Sequence, residues 1–289
     1  MTDIYIKGQR SIVVGIIINL ILAVIKLVTG ILGHSFALIA DGIESSMDVF
    51  SSIAIWVGLK ISAMPADENH PYGHGKAESL SAIIVSVSLL IAAIIILVES
   101  IQKFQQPYPQ PEAYTLIILV LVIFTKEILF RYIFKMSSHI NSVALKVDAW
   151  HHRSDAITSV AAFIGISIAL IGGENYHYAD VWAALVAAFF IAYNGWNLLS
   201  ESVAEIMDAA PDQNLIERVT ELVKSVPAVY DVSQCLVRKS GLGYFVDVHV
   251  DVDGNLTVFQ SHDIDHQIKK TLKNSELMIE KVMVHIEPK

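Results

Sequence analysis

The chain has 289 residues, 54% of them hydrophobic and 17% charged, with a formal net charge of −9 and a mean hydropathy of +0.53. Soluble domains carry about a quarter charged residues, so this composition excludes an ordinary soluble protein and makes the lipid bilayer a partner. The acidic balance argues against nucleic acid, and the single cysteine, Cys235, excludes an internal disulfide or a cysteine-rich metal cluster.

Six stretches approach the length of about 20 apolar residues needed to cross a bilayer. The first, SIVVGIIINLILAVIKLVTGIL, covers 11–32. It is longer than the apolar part of a signal peptide and lacks a small-residue cleavage site before a polar mature start. The second covers 36–59 and is less pure, the third 80–98, the fourth 114–130, the fifth roughly 146–171 and the sixth 181–199. From Pro211 onward the chain turns polar, charged and periodic. The reading is an α-helical membrane domain over 1–208 and a soluble domain over 209–289.

Lys and Arg gather on the cytoplasmic side of membrane proteins. Lys7 and Arg10 precede the first span, Lys60 and Lys76 flank the second loop, and Arg131, Lys135 and Lys146 surround the fourth. The opposite loops are nearly bare. Both termini and the tail are therefore expected in the cytoplasm, in a multi-pass protein of the cell (inner) membrane.

One pattern occurs twice. In DGIESSMD (41–48) and DAWHHRSD (148–155) an Asp is followed three residues later by Glu44 or His151, and four residues after that by Asp48 or Asp155. Spacings of three and four share one helical face, so each span offers a stripe of ionisable groups. His152 lies about 100° around the helix from His151, which assigns it elsewhere, and Arg153 is also off the stripe. Charges within a bilayer cost about 2.5–3.5 kcal/mol each on insertion scales, so the stripes must face each other, water or a cation. Glu44, Asp48, His151 and Asp155 supply three carboxylates and one imidazole, which suits Zn²⁺ and also Fe²⁺ or Mn²⁺. The lack of sulfur speaks against Cu⁺. Asp41 and Asp148, a turn nearer the helix N-terminus, are expected to be structural.

In the tail, FVDVHVDVD (245–253) places Val246, Val248, Val250 and Val252 on one side and Asp247, His249, Asp251 and Asp253 on the other, the alternation of a half-buried strand. VMVHIEP (282–288) repeats this with His285 and Glu287 on the polar side. Helices fit 214–226 and 259–272, and a strand fits 231–240, giving the order αββαβ with helices over one sheet face.

At this point the sequence resembles the cation diffusion facilitator family of divalent-metal exporters, its closest branch being the bacterial ferrous-iron and zinc efflux members. LIADGIESSMD, PADENHPYGHGKAE, DAWHHRSD and the terminal HIEP stand in the family's order across nearly the whole chain. The resemblance implies six transmembrane helices, a ferredoxin-like α+β cytoplasmic domain and a homodimer. It places Glu44, Asp48, His151 and Asp155 at the transport site, where Glu44 departs from the usual Asp or His. It places Asp67, His70 and His74 at a loop metal site, and His249, His262, His285 and Glu287 at the cytoplasmic metal positions. Ser233 stands where the family often has a histidine, and His266 is expected to be surface. Lys76 and Asp208 match an ion pair near the dimer junction, and the tail is expected to act as a sensor and dimer brace.

The function so implied is export of Zn²⁺ or Fe²⁺, with Mn²⁺, Cd²⁺ and Co²⁺ as alternatives, in exchange for protons by alternating access. The metal is cargo and ligand rather than a cofactor, and the protein is not an enzyme. An intramembrane metallohydrolase is disfavoured because no HExxH motif occurs, and a non-transporting metal receptor is the remaining alternative.

Overall fold

The computed structural model describes residues 2–105, 109–140, 143–172, 176, 178–241 and 243–289, with side chains described except at 2–14, 105, 137–140, 143–151 and 154. Six long helices come first: α1 (Thr2–Leu32), α2 (Phe36–Ser62), α3 (Lys76–Gln105), α4 (Tyr114–Ile140), α5 (Val143–Ile171) and α6 (Ala179–Ile206). They are followed by α7 (Gln213–Lys224), β1 (Asp231–Ser240), β2 (Gly243–Val252), α8 (Val258–Lys273) and β3 (Ile279–Pro288). The chain forms two compact units, Met1–Ala54 with Ile84–Asn197, and Ile55–Ile83 with Leu198–Lys289.

The first unit has its polarity reversed relative to a soluble bundle. Ile94, Ile117, Phe124, Ile128, Ile164 and Phe189 are exposed, while Asn19, Lys26, Asp41, Lys126, His152 and Asp155 are buried. An apolar outer surface of this extent is what lipid accepts and water does not. Among the described residues, stretches in α1 (Gly15–Leu32), α3 (Lys76–Phe104) and α6 (Ala179–Ile206) are long and apolar enough to cross a membrane. Helices α2 and α4 are interrupted by charge, with Asp41, Glu44 and Asp48 in α2 and Lys126, Glu127 and Arg131 in α4. In α5 the described apolar stretch is Asp155–Ile171.

Small residues let these helices approach. A Cβ on Gly42 would lie 2.9 Å from Leu27 Cδ2 of α1, and one on Gly165 2.4 Å from Ala183 Cβ of α6. Phe36, Ala40, Ala93, Ile96, Ala184, Ala188 and Ile191 join α2, α3 and α6. Ala37, Leu38, Leu119, Ala162 and Ile166 join α2, α4 and α5. The start of α2 is fixed from a distance. Asp180, fully buried, accepts from Phe36 N at 2.5 Å, Ala37 N at 3.2 Å and Ser35 Oγ at 2.7 Å. A carboxylate of α6 thus satisfies two of the orphan donors that open α2, and Ser35 Oγ accepts from a third, Leu38 N.

In the second unit, Asp212 caps α7 by accepting from Asn214 N, and Thr257 and Gln260 form a capping box on α8. The sheet has the order β1-β2-β3. β1 pairs antiparallel with β2, with a register shift between Val232 and Gln234, and β2 pairs parallel with β3 through the α8 crossover. Val246, Val248, Val250 and Val252 form the core with Val219, Val223, Ile264, Ile268 and Leu272. The second sheet face carries His249 opposite His285 and Asp251 opposite Glu287.

Candidate metal centre

The buried polar groups of the first unit converge. Glu44 lies within electrostatic range of Asp41, Asp48 and Asp155 on the negative side and of Lys26 on the positive side. Stripes of α2 and α5 therefore share one site. Glu44 Oε2 is buried and accepts no hydrogen bond. A buried carboxylate oxygen left in this state is destabilising unless a cation or proton meets it.

Two lysines enter the same region, and the sequence pattern had not singled them out. Lys26 Nζ lies 2.8 Å from Asp41 Oδ2 and donates to Ser45 Oγ at 3.0 Å and Ser159 Oγ at 3.2 Å. Ser159 Oγ in turn donates to Asp41 at 3.1 and 3.0 Å. Lys126 Nζ donates to Asp155 Oδ2 at 2.6 Å and to Asn19 Oδ1 at 2.9 Å. Both lysines are fully buried. The available signal was each lysine's position inside an otherwise apolar span, which by itself marks a functional position.

One histidine of α5 differs from expectation. His152, assigned elsewhere by helical spacing, is buried with Nδ1 4.0 Å from Asp155 Oδ2. The i,i+3 step brings His152 and Asp155 onto one side of the helix. The side chains of His151 and Asp148 lie outside the described residues.

The loop after α2 gathers a second donor set. Asp67 accepts from His70 N at 2.6 Å, His70 Nδ1 lies 3.1 Å from the same oxygen, and His74 Nε2 lies 3.5 Å from Asp67 Oδ2. The backbone N–H of His70 is the main reason the Asp67 carboxyl sits below the usual range. Asp67, His70 and His74 each offer a ligand atom within 4.8 Å of the others. His74 Nδ1 is buried without a hydrogen-bond partner, so the set fits a divalent ion.

On the sheet, His249 Nδ1 lies 3.0 Å and His285 Nε2 3.8 Å from Glu287 Oε1, while Ser233 Oγ donates to Glu287 Oε2 at 2.9 Å. Hydrogen bonds from His249 and then Ser233 hold the Glu287 carboxyl below its ordinary range. His249, His285 and Glu287 form one group of ligand atoms. Ser233, at the register shift, occupies the place expected for a histidine and braces the carboxylate instead. His262 stands in a different group, with Asp265 and His266, its Nε2 3.1 Å from His266 Nε2.

Lys76 Nζ lies 2.6 Å from Asp208 Oδ1, and Arg238 Nη1 lies 2.7 Å from Asp208 Oδ2. Asp208 sits at φ +55°, and these two cations lower its carboxyl, Lys76 most strongly.

Apolar-surfaced helices around a buried acid cluster, with a separate domain bearing His/carboxylate clusters, define a membrane protein that handles cations. The chain matches the Cation efflux transmembrane domain over residues 12–207 and the Cation efflux protein, cytoplasmic domain, over residues 211–289. It belongs to this cation efflux, or cation diffusion facilitator, family, whose members are transporters rather than enzymes. It is 36% identical over 285 residues to the manganese efflux system protein MneP of Bacillus subtilis, covering 97% of this chain and 96% of that one. It is 33% identical to the manganese efflux system protein MneS of the same organism, over 98% of this chain and 96% of that one. The magnetosome protein MamB of Magnetospirillum gryphiswaldense is 28% identical over 89% of this chain and 86% of its own.

Proposed function

We propose that this protein exports divalent metal ions, binding one dication among Glu44, Asp48, Asp155 and a histidine of α5. The observation that carries the reading is the convergence of half-buried Glu44 and Asp48 with buried Asp41 and Asp155 inside an apolar-surfaced bundle. Carboxylates crowded there repel one another, and a dication relieves that repulsion directly.

Mn²⁺ is the leading cargo. Hard oxygen donors suit it, and two relatives spanning the chain end to end are named for manganese efflux. Zn²⁺ and Fe²⁺ form the second reading, favoured by the imidazole of His152 beside Asp155. Ligands must shed protons to bind metal, which supports proton exchange as the driving step. Residues 1–208 would form the six-span membrane domain and 209–289 the cytoplasmic domain of a homodimer in the cell membrane, both termini inside. Asp67, His70 and His74, then His249, His285 and Glu287, and His262 in its separate group would hold further ions as sensors, and the Lys76–Asp208 pair would steady the junction between protomers.

The test is uptake by proteoliposomes of Mn²⁺, Fe²⁺, Zn²⁺, Cd²⁺ and Co²⁺, with and without a pH gradient. Saturable Mn²⁺ flux that moves protons and falls to background in Asp48→Asn is expected. Flux unchanged in that variant would end the site assignment, and flux indifferent to the gradient would end the exchange.

A further inference from the structure

The two buried lysines do different jobs. Lys26 is enclosed by three partners, Asp41, Ser45 and Ser159, and Asp41 and Ser159 also bond to each other. This closed network ties α1, α2 and α5 together. Lys126 has two partners, Asn19 and Asp155. Asn19 is neutral, and Asp155 is a proposed cargo ligand. A metal bound to a carboxylate oxygen sits about 2.0–2.2 Å from it. An ammonium 2.6 Å from that oxygen takes up part of its acceptor capacity and repels a dication nearby. The two cations therefore compete for Asp155.

The charges point the same way. Among the described residues, fully ionised Asp41, Glu44, Asp48 and Asp155 carry four negative charges against the two ammonium groups of Lys26 and Lys126. That leaves an excess of two negative charges among them, the charge of one dication.

We propose that Lys126 is a tethered counter-cation of the transport site, holding Asp155 when cargo is absent and withdrawing towards Asn19 when a dication binds. In this arrangement Lys126 is a positioning and selectivity residue, not a metal ligand. It offsets the charge of Asp155 in the empty bundle, and by returning to Asp155 it helps expel the ion on the far side. Lys26 stays in place throughout and serves as the structural half of the pair.

This inference rests on the reading of Glu44, Asp48 and Asp155 as the cargo site, and the test separates the two. Mn²⁺ binding to the purified full-length protein is measured from the electron paramagnetic resonance of free Mn²⁺, with La³⁺ as competitor. Loss of one bound Mn²⁺ in Asp48→Asn checks the site itself. In Lys126→Met, at least tenfold tighter Mn²⁺ binding is expected, with La³⁺ competing better than in the parent and with a lower kcat at a lower KM in liposomes. Asn19→Asp offers Lys126 a second carboxylate without changing side-chain size, and it guards against a Lys126→Met protein that does not fold. It is expected to tighten Mn²⁺ binding in the same direction. If both folded variants, or Asn19→Asp alone when Lys126→Met does not fold, bind Mn²⁺ no more tightly than the parent while Asp48→Asn removes the ion, the tethered-cation proposal is wrong and the cargo site stands. If Asp48→Asn removes nothing, the site reading fails first.

Discussion

Replacing Lys26 by Met should expose how the membrane bundle is held. The Lys26–Asp41 pair is 2.8 Å long and both side chains are buried. Removing one partner of a buried pair costs about 3–5 kcal/mol, because the other charge is stranded. Asp41 keeps the Ser159 hydroxyl at 3.1 and 3.0 Å, and a hydrogen bond to a charged group contributes about 1.5–3 kcal/mol. The expected loss is therefore at the lower end, about 3 kcal/mol. Lys26→Met with Asp41→Asn removes the stranded charge and should recover most of it; because Asp41→Asn alone strands Lys26 in turn, the coupling in a double-mutant cycle should be at least about 2 kcal/mol. The assay is unfolding of the purified protein in mixed micelles with increasing SDS, followed by far-ultraviolet circular dichroism. A coupling below about 0.5 kcal/mol, the usual scatter of independent sites, would refute the argument that this pair locks α1 to α2.

Three further outcomes are expected. Asp180→Ala leaves Phe36 N, Ala37 N and Ser35 Oγ without their acceptor and should destabilise by about 2 kcal/mol, the upper end for a lost cap; the same unfolding assay reads it. Asp208 has its carboxyl lowered by Lys76 and Arg238, so its stabilising contribution is present above the ordinary carboxylate range and is lost as pH falls through the lowered value. Asp208→Asn should flatten that acid limb in a thermal-melt series, and an unchanged limb would assign it to other groups. His249→Ala and Glu287→Ala should each remove the same single ion from the tail in a binding titration while Asp48→Asn leaves it in place. Independent losses would mean that these residues do not share a metal.

Much of the layout is written locally. Apolar runs locate α1 to α6 to within about two turns, except that α1 begins nine residues earlier and α4 ends ten residues later, both in more polar sequence. Alternating valines give β2, and the i,i+3 and i,i+4 spacings place Glu44 with Asp48 on α2. These signals survive in sequence because they depend on a helix or strand period and on neighbours a few residues away.

What the sequence could not supply is who meets whom across the bundle. Lys26 and Lys126 look alike as single cations in apolar spans, yet one closes a network with Asp41, Ser45 and Ser159 and the other takes Asp155. Asp180 reads as a loop acid but caps α2 from 144 residues away. His152 reads as off the stripe but turns its Nδ1 to Asp155. Each outcome depends on helix rotation and on long-range packing, which no local period encodes. Burial then makes these pairings obligatory, because a charge inside the bundle must find the partner that tertiary structure brings to it.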